Sequence, residues 1–292
     1  MDSCEIMKYY KDAEMAKKLL NQKVHPEIEI SKNGTRKKHQ ILNINGEKYF
    51  VKPVSQKELV AEIYFAKLQQ KAGLIVPNYF PLGKHGRYTH VASRNVFEEN
   101  NCVGGREYYR ANAKKALEGI TGESRMQIAY DLFYMPQKIE DQHVKYSEFI
   151  TNDGMKKFQT KRCMDIITKN TDAHFNNYFF VLDENNLVID TVGIDFSAGG
   201  KNFYYKNAIC CYFNEFGANR LTDCDFLFEM NKNENLRQFV SPKELSDAVG
   251  NIDCIETAKE VKEEFGLIVP DKLVDRIDRH ADFFATSLEM ID

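Results

Sequence analysis

Short segments rich in β-prone residues occupy most of the first third of the chain. Residues 39–44 and 48–52 form one pair, and Asn45-Gly46 between them is a strong signal for a tight hairpin. Residues 76–82 and 87–92 form a second pair of predicted strands. The pattern therefore predicts a small sheet in this part of the chain.

Helical periodicity accompanies this sheet and then dominates the end of the chain. Residues 3–21 and 56–70 have apolar positions near helical spacing, and Ala72-Gly73 is a stop signal for the second of these helices. Ser241-Pro242-Lys243-Glu244 has the signature of a capping box with proline at the first helical position. The apolar residues of 273–291 trace one face of a last helix.

The middle of the chain predicts a connector, a core helix and a hairpin. Residues 95–122 are polar and contain glycines, as a connector does. Residues 155–169 predict a core helix that leads into a polar segment. Residues 177–181 and 188–194 then predict two strands joined by Asp183-Glu184-Asn185-Asn186.

Together these elements predict an α+β fold with two lobes. A small β-rich N-terminal lobe at residues 1–97 carries one helix against its sheet, and a larger, mainly helical C-terminal lobe follows at residues 98–292. A chain of 292 residues is long for one core and comfortable for two lobes.

Composition and charge exclude several classes of partner. With 43% hydrophobic and 28% charged residues, the chain has an ordinary globular balance. A net charge of −3 gives no bulk attraction for nucleic acid or for an anionic membrane. The apolar runs are too short for a membrane span, and the first residues lack the uninterrupted apolar segment of a secretion signal. We therefore expect no direct nucleic-acid partner and no membrane partner.

The cysteines favour a reducing compartment. All seven lack Cys-x-x-Cys spacing, and their odd number fits reduced thiols better than a disulfide framework or a zinc site. Cys210 and Cys211 are interpreted as small apolar fillers rather than a redox pair. We expect a cytoplasmic protein, and delivery into a host cell as an effector is the alternative that the sequence leaves open.

A group of polar residues in the second half has the order used in phosphoryl transfer. The segment Asn170-Thr171-Asp172-Ala173-His174 is followed by Asn177, and Asp195 comes after the predicted hairpin. Kinases use one Asp to accept or orient the proton of the attacking hydroxyl, and an Asn and a second Asp to hold magnesium on the phosphates of ATP. Asp172 is therefore the candidate base, and Asn177 and Asp195 are the candidate magnesium ligands. His174 is expected to hydrogen-bond the loop.

The first lobe supplies candidates for holding the phosphates. Lys52 lies at the end of a predicted strand, like the kinase lysine that contacts the α and β phosphates. Glu62, in the following helix, is the candidate carboxylate that fixes Lys52. Glu58 lies one turn earlier and is the competing candidate.

Residues 31–39 hold the place where protein kinases have a glycine-rich loop. The segment is basic, Gly34 is its one glycine, and the chain has no Gly-x-Gly-x-x-Gly motif. A flexible phosphate cover that uses the amides around Gly34 and the side chain of Lys37 is one interpretation. A solvated charged turn is the other. Self-phosphorylation at Ser31 or Thr35 would place a negative charge that competes with ATP for the basic side chains.

Each of these residues has an ordinary explanation when it is taken alone. A lysine on a strand or a glutamate on a helix is usually a solvated surface group, and Asn-Thr-Asp is a common turn composition. In this chain they occur in the order and on the elements of a kinase. Their joint presence favours one active site for Mg-ATP.

Residues 170–181 resemble the Asn-Thr-Asp-Ala-His-x-x-Asn segment of the HipA-type kinases, including its Ala and its His. In the first lobe, Lys52, Glu62 and residues 72–77 follow the order of the same family. The resemblance implies a two-lobed, phosphoinositide-kinase-like fold and a serine/threonine protein kinase that uses ATP and Mg²⁺. Such kinases often serve as the toxin of a toxin–antitoxin pair, so a protein substrate and an antitoxin protein are the implied partners.

The resemblance also implies a role for each site residue. Asp172 would be the catalytic base, and Asn177 and Asp195 would be the metal ligands. Lys52 would contact the phosphates, and Glu62 would hold Lys52.

The resemblance covers residues 40–100 and 155–200 well and the rest of the chain weakly, and the chain departs from the family pattern in several places. Full-length HipA toxins carry an additional N-terminal subdomain for which this chain is short, so its size is nearer to the compact members. Lys52 is followed by Pro53, where the family usually has an aromatic residue first. These departures affect the toxin role more than the kinase chemistry.

Three other classes compete with a protein kinase. A small-molecule phosphotransferase of the aminoglycoside-kinase type has a similar Asp-x-x-x-x-Asn, but with His-Gly before the Asp where this chain has Asn170-Thr171. A pseudokinase binding module is expected to lack at least one of the lysine, base and metal-ligand candidates, and all are present. A nucleic-acid-binding repressor would need a helix-turn-helix signal, which the sequence lacks.

Overall fold

The computed structural model places the strands and helices that surround the candidate site. The residues that it describes are 40–44, 47–84, 87–94, 101–105, 107–108, 111–112, 149–170, 173, 177–196, 199, 212–214, 217–219, 223–232 and 234–291.

A four-stranded sheet forms most of the N-terminal lobe. Its spatial order is β1-β2-β4-β3 and every pairing is antiparallel. The strands are β1 (Gln40–Ile44), β2 (Glu47–Pro53), β3 (Tyr79–Lys84) and β4 (Arg87–Arg94). The predicted sheet is confirmed, whereas the turn at Asn45-Gly46 and the predicted elements before β1 lie outside the described residues.

Two strand boundaries differ from the prediction. β3 begins at Tyr79 rather than at residue 76, because Ile75 pairs with Val192 in an isolated parallel bridge and Pro77 has no N–H to donate. Pro53 does not follow β2 but is its last residue, opposite His90. The described part of β1 begins at Gln40, which lies opposite Val51.

One helix, α1 (Gln56–Lys71), packs against the sheet. It begins with a capping box in which Ser55 and Glu58 bond each other's backbone amides. It ends at Ala72, and Gly73 then adopts a left-handed φ of 77° that favours glycine. The predicted helix and its stop are therefore confirmed.

A second sheet lies at the start of the C-terminal lobe. Its antiparallel strands are β5 (Cys102–Gly104), β6 (Tyr178–Leu182) and β7 (Val188–Gly193). The helix α2 (Asn152–Ile167) packs against β7 and leads into the candidate catalytic segment. The predicted helix and hairpin are confirmed, but the predicted connector contributes a strand, since Cys102 to Gly104 pair with β6.

The remainder of the described chain is mainly helical. Two three-residue strands, 212–214 and 217–219, pair before these helices, and no sequence motif predicted them. The capping box at Ser241 and Glu244 and the buried face of the last helix are confirmed. The elements are β8 (Tyr212–Asn214), β9 (Gly217–Asn219), α3 (Asp223–Lys232), α4 (Glu234–Phe239), α5 (Pro242–Gly250), α6 (Cys254–Phe265) and α7 (Asp271–Glu289). Among the described helices, none is long and apolar enough to cross a bilayer.

The helix α6 returns to the N-terminal lobe and packs on α1. The hydroxyl of Tyr64 on α1 donates to the carbonyl oxygen of Cys254 at 3.0 Å. Lys71 forms an ion pair with Glu260 at 2.7 Å. The hydroxyl of Tyr88 on β4 donates to the carbonyl oxygen of Phe265 at 3.1 Å. These contacts hold α1 and β4 against the C-terminal lobe.

Candidate active site

Lys52 lies between two carboxylates that come from different lobes. Its Nζ donates to Oε1 of Glu62 and, at 2.7 Å, to Oδ1 of Asp195. The lysine is on β2, Glu62 is on α1, and Asp195 follows β7. The side chain of Glu62 is fully buried, whereas that of Asp195 is 34% exposed. A buried carboxylate therefore holds the Lys52 amine on one side, and a partly exposed carboxylate faces it on the other.

Of the two candidate partners for the lysine, Glu62 makes the contact. The carboxylate of Glu58 accepts a hydrogen bond from the backbone amide of Ser55 at 2.9 Å, as part of the helix cap. Its position is therefore explained by the start of α1.

Burial and ion pairing act in opposite directions on the two charges. Burial lowers the pKa of Lys52, but the carboxylates of Glu62 and Asp195 outweigh this effect and raise it above its ordinary value. Burial raises the pKa of Glu62 to about 7, against the lowering effect of Lys52. The lysine therefore keeps its charge at neutral pH.

Glu62 also holds the backbone beside Asp195. Its second oxygen, Oε2, accepts a hydrogen bond from the amide of Phe196 at 2.9 Å. Asp195 has a φ of 57°, in the left-handed region that a non-glycine residue rarely adopts. Unusual backbone conformations of this kind cluster at functional sites. One buried carboxylate thus sets the position of both the lysine and the segment that carries Asp195.

Tyr79 closes the site from the side of β3. The pKa of its buried hydroxyl is raised by burial and by the nearby charges of Glu62 and Asp195, while a hydrogen bond from the backbone of Asp195 opposes the shift. Its ring meets that of Phe196 edge to face, with centroids 6.0 Å apart. No motif pointed to Tyr79, because its role depends on a partner more than a hundred residues away in sequence.

The two candidate metal ligands lie at the same end of the β6–β7 hairpin. Tyr178 pairs with Gly193, and the amide of Ile194 donates to the carbonyl oxygen of Asn177 at 3.3 Å. Asn177 and Asp195 therefore flank the last paired residues of the hairpin. An amide oxygen and a partly exposed carboxylate are hard donors, so the residues present fit Mg²⁺.

Four other predicted site residues lie outside the described residues: Asp172, His174, Gly34 and Lys37. Their roles remain predictions. On either side of Asp172, Asn170 and Ala173 are described, and both are buried.

Two charged residues behind the site were not predicted. Lys161 and Asp165 lie on α2, and their side chains are almost completely buried. The sequence did contain a signal for them. Asp165 lies seven positions after Phe158, on the stripe that includes Met155, so a charged residue interrupts the apolar face of a predicted core helix. A charge at such a position is rarely left without a partner.

Comparisons with known proteins agree with this geometry at the level of the fold. No family model and no curated sequence matches the chain. The Helicobacter pylori proinflammatory kinase CtkA has a similar structure, with a TM-score of 0.53 and 15% sequence identity over 91% of this chain and 95% of that chain. HipA of Shewanella oneidensis MR-1, solved with HipB and operator DNA, has a TM-score of 0.51 and 14% identity over 96% of this chain and 72% of that chain. The protein therefore has the α+β, kinase-like fold of HipA and CtkA, as the resemblance of residues 170–181 predicted.

Proposed function

We propose that the protein is an ATP- and Mg²⁺-dependent serine/threonine protein kinase. The observation that carries the proposal is the position of the Lys52 amine, between the buried Glu62 and the accessible Asp195. Phosphoryl transfer needs a positioned positive charge at the phosphates and a positioned acceptor hydroxyl, with little covalent chemistry from the protein. The fold shared with two kinases supports the same class of reaction.

Lys52 binds the phosphates of ATP in this proposal. Its charge is retained at neutral pH, and Glu62 limits the positions that its amine can take. A lysine that is already oriented loses little conformational freedom when the ligand arrives, which favours affinity. Asn177 and Asp195 would hold Mg²⁺, which supplies charge neutralisation at the phosphates when it is bound.

Asp172 accepts the proton in the transfer step. The oxygen of a Ser or Thr hydroxyl attacks the γ-phosphorus, the bond from that phosphorus to the β,γ-bridging oxygen breaks, and ADP leaves. The hydroxyl proton passes to the carboxylate of Asp172.

The protein acceptor is supported by the Asn-Thr-Asp-Ala-His segment, which resembles protein kinases rather than aminoglycoside kinases. We test it by incubating the purified chain with labelled Mg-ATP and a bacterial or host lysate. Discrete labelled proteins, or the kinase itself, should carry phosphate on Ser or Thr. If no protein is labelled and ATP is consumed only when an aminoglycoside or another small alcohol is added, the protein is a small-molecule phosphotransferase instead.

The base is tested separately with Asp172→Asn. Turnover should fall about a hundredfold or more, while the affinity for Mg-ATP stays close to that of the wild type. Asp247→Asn, at an exposed position on α5, is the matched control and should transfer phosphate normally. Equal phosphate incorporation by Asp172→Asn and the wild type would contradict the assignment.

A toxin role with an antitoxin partner is a further part of the proposal. It is supported by the similarity of the fold to HipA, which was solved together with HipB. Expression of the wild type should then arrest bacterial growth, and Asp172→Asn should not. Normal growth at matched expression would separate the kinase activity from any toxin role.

A further inference from the structure

The buried pair Lys161 and Asp165 belongs to a hydrogen-bond network next to the candidate site. Nζ of Lys161 donates to both carboxylate oxygens of Asp165, at 2.6 and 2.5 Å. The two side chains are 1% and 0% exposed. The pair lies one helical turn apart on α2, which ends at the start of the candidate catalytic segment.

The carboxylate of Asp165 also joins the two ends of that segment. Nδ2 of Asn170 donates to Oδ1 at 3.1 Å, and the hydroxyl of Tyr178 donates to Oδ2 at 2.6 Å. The backbone amide of Asn170 donates to the backbone carbonyl oxygen of Asp165 at 2.8 Å. Asn170 precedes and Tyr178 follows residues 171–177, which include the candidate base and one candidate metal ligand. A single carboxylate therefore fixes both ends of this segment to α2.

Lys161 extends the network to the other candidate metal ligand. Its Nζ lies 4.7 Å from the centre of the Tyr178 ring and 5.6 Å from the centre of the Phe196 ring. Phe196 directly follows Asp195, and its amide binds Glu62. Gly193 leaves the space for the lysine, since a Cβ there would collide with Cε of Lys161.

Stability alone is a poor explanation for such a pair. Removing a lysine and a carboxylate from water carries a large desolvation penalty, and well-packed apolar residues in their place are often as stable or more stable. An ion pair with further hydrogen bonds does something that apolar residues do not, because its bonds have fixed directions. Here the hydrogen bonds reach Asn170 and Tyr178, at the two ends of the candidate catalytic segment.

We infer that Lys161, Asp165 and Tyr178 are positioning residues that fix Asn170 and Asn177, the two described ends of the candidate catalytic segment, relative to Asp195. None of the three belongs to the predicted catalytic or metal-binding set, so each acts through the backbone that it holds. The inference rests on the proposed kinase function for its effect on turnover. Its effect on the segment itself can be measured without any activity.

The first test is Tyr178→Phe, which deletes one hydroxyl and keeps the ring over Lys161. Tyr108→Phe is its matched control, because the Tyr108 hydroxyl is also buried and donates to a backbone oxygen, that of Phe149, at 2.6 Å. Tyr108 further contacts the backbone of Asn186, in the turn at the opposite end of the β6–β7 hairpin. Both variants lose a buried hydrogen bond of the same length, at opposite ends of one hairpin.

We expect the two variants to differ in kcat. Tyr178→Phe should lower kcat about tenfold or more with the KM for Mg-ATP nearly unchanged, because a misplaced reacting group affects the transfer step more than nucleotide binding. Tyr108→Phe should keep the wild-type kcat. The double substitution Lys161→Met with Asp165→Leu, which removes both charges, should keep the fold and lose kcat in the same way.

The second readout is amide hydrogen exchange across residues 171–176. Exchange there should be faster in Tyr178→Phe than in the wild type, and unchanged in Tyr108→Phe. Equal exchange in the two variants would overturn the inference, whatever the activity. A wild-type kcat in Tyr178→Phe would overturn it as well. A wild type that transfers no phosphate would instead refute the proposed function and leave the exchange measurement to decide the positioning role.

Discussion

The Lys52–Glu62 pair and the Lys161–Asp165 pair have the same chemistry and differ in their access to solvent. Lys52 is 14% exposed and has a second, partly exposed partner in Asp195. Lys161 is 1% exposed and is surrounded by the rings of Tyr178 and Phe196. Phe196 touches both pairs, through its amide on one side and its ring on the other.

The pKa values of the two lysines shift in opposite directions. Burial lowers the pKa of Lys52, but two carboxylates outweigh it and raise the net value. Burial also lowers the pKa of Lys161, and its one carboxylate does not compensate. In the proposed function, the front pair, Lys52 and Glu62, presents a charge to a ligand. In the inferred positioning role, the rear pair, Lys161 and Asp165, holds the surrounding backbone.

The largest expected effect comes from removing the front lysine. Lys52→Met should lower kcat/KM for phosphate transfer by about 100- to 1,000-fold, the usual scale for a positioned group that stabilises developing charge. It should also weaken Mg-ATP binding, whereas the double substitution Lys161→Met with Asp165→Leu should leave that binding nearly intact. Calorimetric titration of both variants with Mg-ATP makes the comparison. Equal affinities in the two variants would remove the functional difference between the pairs.

The next effect concerns the accessible partner of the front pair. Asp195→Asn removes a charge from the proposed magnesium site, so ATP affinity should lose most of its dependence on Mg²⁺. Titrations of ATP with and without Mg²⁺ test this, and Asp190→Asn on β7 serves as the control on the same hairpin. If Asp195→Asn keeps the wild-type dependence on Mg²⁺, Asp195 is only a partner of Lys52.

A smaller effect is expected in the pH dependence of stability. Burial raises the pKa of Glu62 from 4.5 to about 7 in the folded protein. Between these values the folded state keeps a proton that the unfolded state has released, so this group's contribution to the free energy of unfolding falls as the pH rises and levels off above about 7.

Glu62→Gln removes this group and tests the sign. Chemical denaturation at pH 5 and at pH 8 should show the wild type losing stability relative to Glu62→Gln as the pH rises. Glu184→Gln, in an exposed turn, controls for the loss of one negative charge. An unchanged difference between the wild type and Glu62→Gln at the two pH values would show that the ion pair with Lys52 cancels the effect of burial.

The smallest expected effect is a change in stability and concerns Gln69. Its side chain lies close to Gly193, as the side chain of Lys161 also does. Gln69 is fully buried on α1, and among the described residues neither its amide nitrogen nor its amide oxygen has a hydrogen-bond partner. Gln69→Leu should therefore raise the free energy of unfolding by about 1 kcal/mol. Gln159 is the matched control, because its buried amide oxygen accepts from Arg162 at 2.8 Å. Gln159→Leu should destabilise, and loss of stability in both variants would show that Gln69 is satisfied in solution.

The sequence predicted the front pair better than the rear pair. Lys52, Glu62 and Asp195 could be found because kinases place such residues on these elements in this order, and the structure brings the three together. Helical spacing did not choose between Glu58 and Glu62. The Ser55-x-x-Glu58 cap signature would have done so, because it already accounts for Glu58.

The rear pair and the short strands depend on contacts between distant parts of the chain. Lys161 looks like a surface charge until α2 is packed against β7, and the place of Asp165 on an apolar stripe is the signal that the sequence contains for the pair. The three-residue strand β5 is a strand only because it pairs with β6, and its own sequence has no clear alternation. The left-handed backbone at Asp195 was likewise not predicted from the sequence.

The packing of α6 on α1 has a consequence for the order in which the protein is made. The helix that carries Glu62 is held by Cys254 and Glu260, which lie 190 and 189 positions after their partners Tyr64 and Lys71. The ribosome makes the N-terminal lobe first. A nascent chain that stops before Cys254 has the lysine and both carboxylates of the site but none of these supports. The helix α1 therefore gains these supports only after residues 254–260 have been made.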